Sequence, residues 1–152
     1  MSGAYVSVAA AAWLAFAGTM RGQLQEKGAD DSVRVTVAQN QDGSRTSYQY
    51  DNANHKAVAT TTTASGKVLS KINYDLDENG RFKAGEVFDD KGQLRFKTLY
   101  KYDAIGRLES ETQLSKDGAV QHKLVYSYND AGKQTGYKVY DANGRLLGQP
   151  KR

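Results

Sequence analysis

The chain has 152 residues and no cysteine, so neither a disulfide framework nor a thiolate metal site is available to it. Its 21 Lys and Arg against 17 Asp and Glu leave a formal charge of +4, too mild to define a polyanion binder by composition alone. Fifteen Gly, ten Tyr and a single Pro suit many short strands joined by tight turns within one domain.

Residues 1–20 carry no charged side chain, and Ala9 to Ala12 followed by Trp13-Leu14-Ala15-Phe16-Ala17 reads as the apolar region and A-x-A end of a secretory signal peptide. The expectation is therefore an apolar helical leader: a cleaved signal peptide, an N-terminal membrane anchor, or an Ala-rich helix covering a sheet. Residues 21–32 are polar with charges of both signs and read as a linker. Residues 33–149 read as the folded domain.

The first strand is expected at Val33 to Ala38, with Val33, Val35 and Val37 on one face. Asp42-Gly43 suggests a two-residue type I′ hairpin that sets Val37 opposite Tyr48 and Val35 opposite Tyr50. Beyond it, turn residues fall at Asn54, Gly66, Gly80, Gly92, Gly106, Gly118, Gly132 and Gly144, at spacings alternating between 12 and 14. Three positions before each stands Asp51, Thr63, Asp77, Asp89, Asp103, Ser115, Asn129 or Asp141. An oxygen-bearing side chain first and a left-handed residue fourth define a type I turn with a G1 bulge.

The resulting 26-residue unit places Tyr48, Tyr74, Tyr100 and Tyr126 in one ladder and Tyr50, Leu76, Tyr102 and Tyr128 in another. The same inner face is expected to take Val68, Phe82, Phe88, Leu94, Phe96, Leu108, Leu114, Val120, Leu124, Tyr140 and Leu146. Counting across the turns sets Tyr74 opposite Ala84, Tyr100 opposite Ser110 and Tyr126 opposite Gly136, large against small. The fold expected is all-β: up-and-down antiparallel hairpin repeats of about ten strands, curled into a barrel or rolled sheet because one apolar face needs cover.

Tyr102-Asp103-x-x-Gly106-Arg107-Leu108 recurs as Tyr140-Asp141-x-x-Gly144-Arg145-Leu146, with degenerate copies at Tyr128-Asn129-x-x-Gly132-Lys133 and Phe88-Asp89-x-x-Gly92-Gln93. Over about residues 46–147 this resembles the YD repeats of the RHS family. The resemblance implies hairpins of the kind that wind into hollow shells for toxin encapsulation, adhesion or carbohydrate binding. The repeats here are too few to enclose a cargo domain.

Chemistry is sparse. His55 falls in a turn, and His122 is expected on the inner face opposite Tyr140; both are expected to be structural. Glu109 and Glu111 are the nearest approach to a carboxylate pair for glycan hydrolysis, but a solvated strand face is the expected reading of them. No catalytic, cofactor or metal site is expected. The remaining pattern is a basic ladder of Arg45, Lys71, Lys97 and Lys123, again 26 apart, on the polar outer face. The expectation is a non-catalytic secreted or envelope-associated module that binds a polysaccharide or other envelope polyanion, with nucleic acid not expected and membrane contact only through residues 1–20. The alternative is a small cell-wall glycan-acting enzyme.

Overall fold

The computed structural model describes residues 33–148, so the expected leader and linker lie outside the described residues. Ten strands follow one another: β1 (Val33–Gln39), β2 (Arg45–Asp51), β3 (Lys56–Thr62), β4 (Val68–Leu76), β5 (Phe82–Asp89), β6 (Leu94–Tyr102), β7 (Leu108–Leu114), β8 (Val120–Tyr128), β9 (Gln134–Asp141) and β10 (Leu146–Gly148). They form one antiparallel sheet in chain order. Among the described residues only consecutive strands pair, so the sheet is open, with β1 and β10 as its edges, and the expected barrel does not close. Among the described residues there is no helix.

The turns follow the expected chemistry. In the hairpin at residues 103–106, the Gly106 amide donates to the Asp103 carbonyl at 3.0 Å and the Asp103 amide to the Arg107 carbonyl at 2.8 Å. The Asp103 carboxylate accepts from the amides of Ile105 at 3.1 Å and Arg107 at 2.8 Å. Gly106 has φ +86°, a conformation that a residue with a Cβ adopts only under strain. Thr63, Asp77, Asp89, Ser115, Asn129 and Asp141 accept backbone amides in the same way.

Two turns differ from expectation. The first hairpin is the same turn as the others: the Gly43 amide donates to the Asn40 carbonyl at 3.1 Å and the Asn40 amide to the Ser44 carbonyl at 2.9 Å. Asn40 therefore opens the turn, and the pairing moves by one residue, to Val37 opposite Ser47, Thr36 opposite Tyr48 and Arg34 opposite Tyr50. Because side chains alternate, that single step turns Val33, Val35 and Val37 away from the tyrosines and leaves them more than half exposed. In the second turn the left-handed residue is His55, at φ +52°, and not Asn54.

From β3 onward every hairpin also carries a register shift. The unpaired residue stands three positions after each turn glycine: Leu69, Lys83, Arg95, Glu109, Gln121, Thr135 and Leu147. This second bulge moves each expected cross-strand pair by one. Tyr74 faces Gly85, Tyr100 faces Glu111 and Tyr126 faces Tyr137. It also divides the expected inner face. Phe82, Phe96, Leu108 and Leu124 share the tyrosine face, whereas Val68, Phe88, Leu94, Leu114, Val120, Tyr140 and Leu146 pair into the rows of the outer one.

The core lies on the tyrosine face and is formed by Tyr48, Ala57, Ala59, Tyr74 and Leu76, with Tyr50, Ile72, Phe82 and Tyr100 packed around them. Ala57 lies between Tyr50 and Tyr74, and Ala59 between Tyr48 and Ile72, so small side chains on β3 admit rings from both sides. The Phe82 ring stacks on Tyr74 at 4.0 Å and lies 6.2 Å from that of Tyr50, three strands away. Three strand spacings span roughly 14 Å, so this contact requires the rings to lean over β3 and the sheet to coil toward them.

Gly85 and Gly136 both sit inside strands, but a Cβ on Gly85 would come within 2.9 Å of Thr98 Oγ1 and 3.2 Å of the Tyr74 ring, whereas one on Gly136 would meet nothing within 4 Å. Gly85→Ala is expected to lower stability by about 1–3 kcal/mol through overpacking. Gly136→Ala is expected to be neutral or to gain up to about 1 kcal/mol, since glycine is unfavourable within a strand. Urea midpoints check both, and equal midpoints would contradict the tyrosine-over-glycine contact.

The turn aspartates predict acid lability. Hydrogen bonds from Arg107 hold the Asp103 carboxyl below its ordinary value against a smaller opposing desolvation, and the Arg145 and Gln93 amides do the same for Asp141 and Asp89. A carboxyl depressed on folding contributes stability above its unfolded value, about 4, and loses it as pH falls through the folded one. Urea midpoints should therefore be level near neutrality and fall below about pH 4, and less steeply in Asp103→Asn.

Candidate functional site

The four residues of the basic ladder lie on the outer face but in different rows. Arg45 pairs with Gln39 and Thr62, Lys71 with Thr60 and Phe88, Lys97 with Glu86 and Leu114, and Lys123 with Thr112 and Tyr140. Each step of two strands also advances one row, so the ladder runs obliquely with successive positions roughly 12 Å apart, against 9 to 10 Å for a straight crossing. Arg45 and Lys71 are exposed, and Lys97 and Lys123 are partly buried. Lys97 is ion-paired to Glu86 at 3.2 Å; among the described residues the other three make no ion pair.

The outer face is less polar than its alternation suggested. Leu99 and Val120 are each nearly half exposed there, and the valines of β1 more so. Near Lys123, Val120 and Val125 border a shallow hollow of about 500 Å³ that is also lined by Thr112, Lys123, Tyr140 and Asp141. One ammonium, one carboxylate, one phenol ring and one hydroxyl thus share a recess with aliphatic walls. Sequence reasoning assigned Tyr140 to the other face; the bulge residue Thr135, which moves the β8–β9 pairing by one and sets Tyr140 opposite Lys123, was the feature needed to place it.

The carboxylate pair does not converge. Glu109 occupies a bulge and is ion-paired to Lys101 at 2.9 Å, whereas Glu111 is only 4% exposed and lies on the tyrosine face between Tyr100 and Leu124. The Tyr126 hydroxyl donates to Glu111 Oε2 at 3.4 Å. Burial first, and then the Glu111 charge, hold the Tyr100 and Tyr126 hydroxyls well above the ordinary phenol range. Burial also pushes Tyr102 up to about 12, opposed by the charge of Arg81. His122 lies on the tyrosine face, facing Gln113 and Asp141 and not Tyr140, and its partial burial lowers its pKa. Among the described residues no group of three His, Asp or Glu could hold a metal, and no helix is long and apolar enough to cross a membrane.

The motif residues have a structural role that explains their repetition. Arg107 Nε donates to Asp103 Oδ2 at 2.7 Å while its guanidinium lies 4.6 Å from the centre of the Tyr128 ring, and the Tyr128 hydroxyl donates to the Leu108 carbonyl at 2.7 Å. Twenty-six residues earlier, Arg81, Asp77, Tyr102 and the Phe82 carbonyl make the same arrangement.

Fold and site together define an open single-sheet β-hairpin-repeat protein with a basic line across one face. The chain belongs to the family whose model, described as "Uncharacterised protein", matches residues 31–149. That match corrects the resemblance drawn from the Tyr-Asp-x-x-Gly motif: the family is not the YD or RHS repeat family, and the motif reflects turn chemistry that any hairpin repeat can use. No curated protein matches the chain.

The buried phenols predict coupled alkaline behaviour. A tyrosine whose pKa is raised on folding contributes stability that is fully present below its unfolded value, about 10, and is lost as pH rises through the folded one. Tyr74, Tyr100 and Tyr126 should ionise only as the sheet unfolds, so part of the tyrosinate absorbance should appear together with loss of the strand circular-dichroism signal. Titration of every tyrosine near pH 10 with the sheet intact would contradict their burial.

Proposed function

We propose that this chain is a non-catalytic binding module of the cell envelope or extracellular space, acting on acidic polysaccharides through the outer face of its sheet. The observation that carries the reading is the oblique line of Arg45, Lys71, Lys97 and Lys123 on one face, ending at the hollow that Lys123 shares with Tyr140 and Thr112. A repeating polyanion meets charges at a constant interval along such a line. Lys123 offers a cation to an acid group, Tyr140 an apolar ring surface to a sugar, and Thr112 a hydroxyl. Lys97 contributes less than the others, because Glu86 already neutralises part of its charge.

Electrostatic binding at exposed groups must be screened by salt. The chain is expected to bind an acidic polysaccharide in low salt, at least tenfold more weakly at physiological salt, and a neutral glycan not detectably. Changing all four ladder residues to Gln should abolish binding, and Tyr140→Ala should weaken it several-fold while leaving its salt dependence. Equal binding by the four-Gln variant would refute the reading. Tighter binding of DNA at the same charge density would move it to nucleic acid.

A further inference from the structure

We infer that β1 is a pairing edge for a second copy of this chain, joined antiparallel through β1 of each into one continuous sheet. The inference is independent of the polysaccharide reading. Outer strands of sheets are ordinarily blunted by charged side chains, above all Lys, by Pro, by a bulge or by shortness. Of these devices β1 carries one charge, Arg34, whose guanidinium lies 5.0 Å from the centre of the Tyr50 ring; the strand is seven residues long, contains neither Lys nor Pro, and pairs with β2 in unshifted register from Val33 to Gln39. The opposite edge is blunted, since β10 has three residues and pairs at only two positions across a bulge.

The parity of the ladder identifies the backbone groups that point outward. Asn40 and Ser44 form a hydrogen-bonded pair at the turn, so Ala38, Thr36 and Arg34 also bond toward β2, and Gln39, Val37, Val35 and Val33 direct their amides and carbonyls away from the sheet. An antiparallel copy centred on Thr36 pairs Val35 with Val37 of the second copy and Val33 with Gln39 of the second copy, so all four outward residues bond at once. Directly opposed residues share a face, so the valine stripe of one copy continues into that of the other. Val33, Val35 and Val37, now 58%, 54% and 66% exposed, would gain apolar neighbours. Arg34, the strand's one charged residue, falls opposite Ala38 of the second copy, so no like charges meet across the two-fold axis. The axis is perpendicular to the sheet, which keeps both basic lines on one face of the assembly.

The test is the molar mass of the full chain by light scattering across a concentration series, and the expected result is a dimer. Val35→Pro removes the central outward amide without touching the β1–β2 ladder, because that amide makes no internal bond. The variant should be monomeric, with circular dichroism unchanged and a melting temperature that no longer depends on protein concentration. Thr36→Cys supplies a check that does not depend on the proline being tolerated. The chain has no other cysteine, and Thr36 would meet its own copy at a non-hydrogen-bonded position, where the Cα atoms approach within about 4.5 Å. Mild oxidation should therefore give a covalent dimer from Thr36→Cys and not from Val120→Cys. A monomeric parent, a dimer that persists in Val35→Pro, or equal cross-linking of the two cysteine variants would each overturn the inference.

Discussion

The structure depends on a left-handed residue in each turn, a glycine at the fourth position in all but the second, and from β3 onward on the unpaired residue three positions beyond that glycine. The glycine lets the chain reverse within four residues while the first side chain satisfies the amides left open by the reversal. The unpaired residue then bends and twists the returning strand. Neither device produces the geometry alone. Turns without the second bulge would set each 26-residue ladder in a different relation to its neighbours, and Tyr74 would no longer lie over Gly85. Each repeat also advances by one row, because turn spacings of 12 and 14 carry a row to a residue 24 positions on two strands later, while the ladder residues are 26 apart. The tyrosines descend one face obliquely as the basic residues descend the other, and the core and the candidate binding line are consequences of the same offset.

The repeat is tied across strands as well as along them. In the clamp of Asp103, Arg107 and Tyr128, the arginine completes the turn through its carboxylate contact and presents its flat cation to a ring one repeat later. A lysine at position 107 would keep the charge but lose the planar fork and the stacking surface together. Each clamp thus couples the turn of one hairpin to a strand of the next, and among the described residues no helix or second sheet shares the task of fixing the relation of the hairpins. Among the described residues every buried side-chain polar atom has a partner, so the polar groups of the tyrosine face, Glu111 included, hold structure.

Most of the fold was legible because its signals are local. The glycines, the oxygen-bearing residues before them and the alternation within strands fix the turn positions and the number and order of the strands. Register was not legible beyond the turns. The bulge residues Leu69, Lys83, Arg95, Glu109, Gln121, Thr135 and Leu147 share no side-chain type, so nothing in composition marks them. One residue is enough to exchange faces, which is how Tyr140 and the β1 valines came to be expected among the tyrosines. Asn40 was missed for a related reason, since Asp42-Gly43 is also the pattern of a shorter turn and the valines made that alternative attractive. The four basic residues share a face because they are one full repeat apart, so any register error recurs equally at each. The hollow beside Lys123 was not legible, because its aromatic wall depends on the shifted register.

The two ends of the sheet are packed unequally, and the cross-strand partners explain it. The large residues of β2 and β4 meet Ala57, Ala59 and Gly85, so their rings can lie flat over a neighbouring backbone. The later members of the same ladder meet Glu111 and Tyr137, whose larger side chains leave no bare backbone for a ring to lie flat over. Tyr126 is buried, but its partner Tyr137 remains 37% exposed, and the core cluster does not extend to β8. A region with fewer buried apolar contacts opens at lower free energy than the core. The hollow lined by Lys123 and Tyr140 belongs to that looser end, whereas β1 borders the core strands and touches the core cluster only through Ala38.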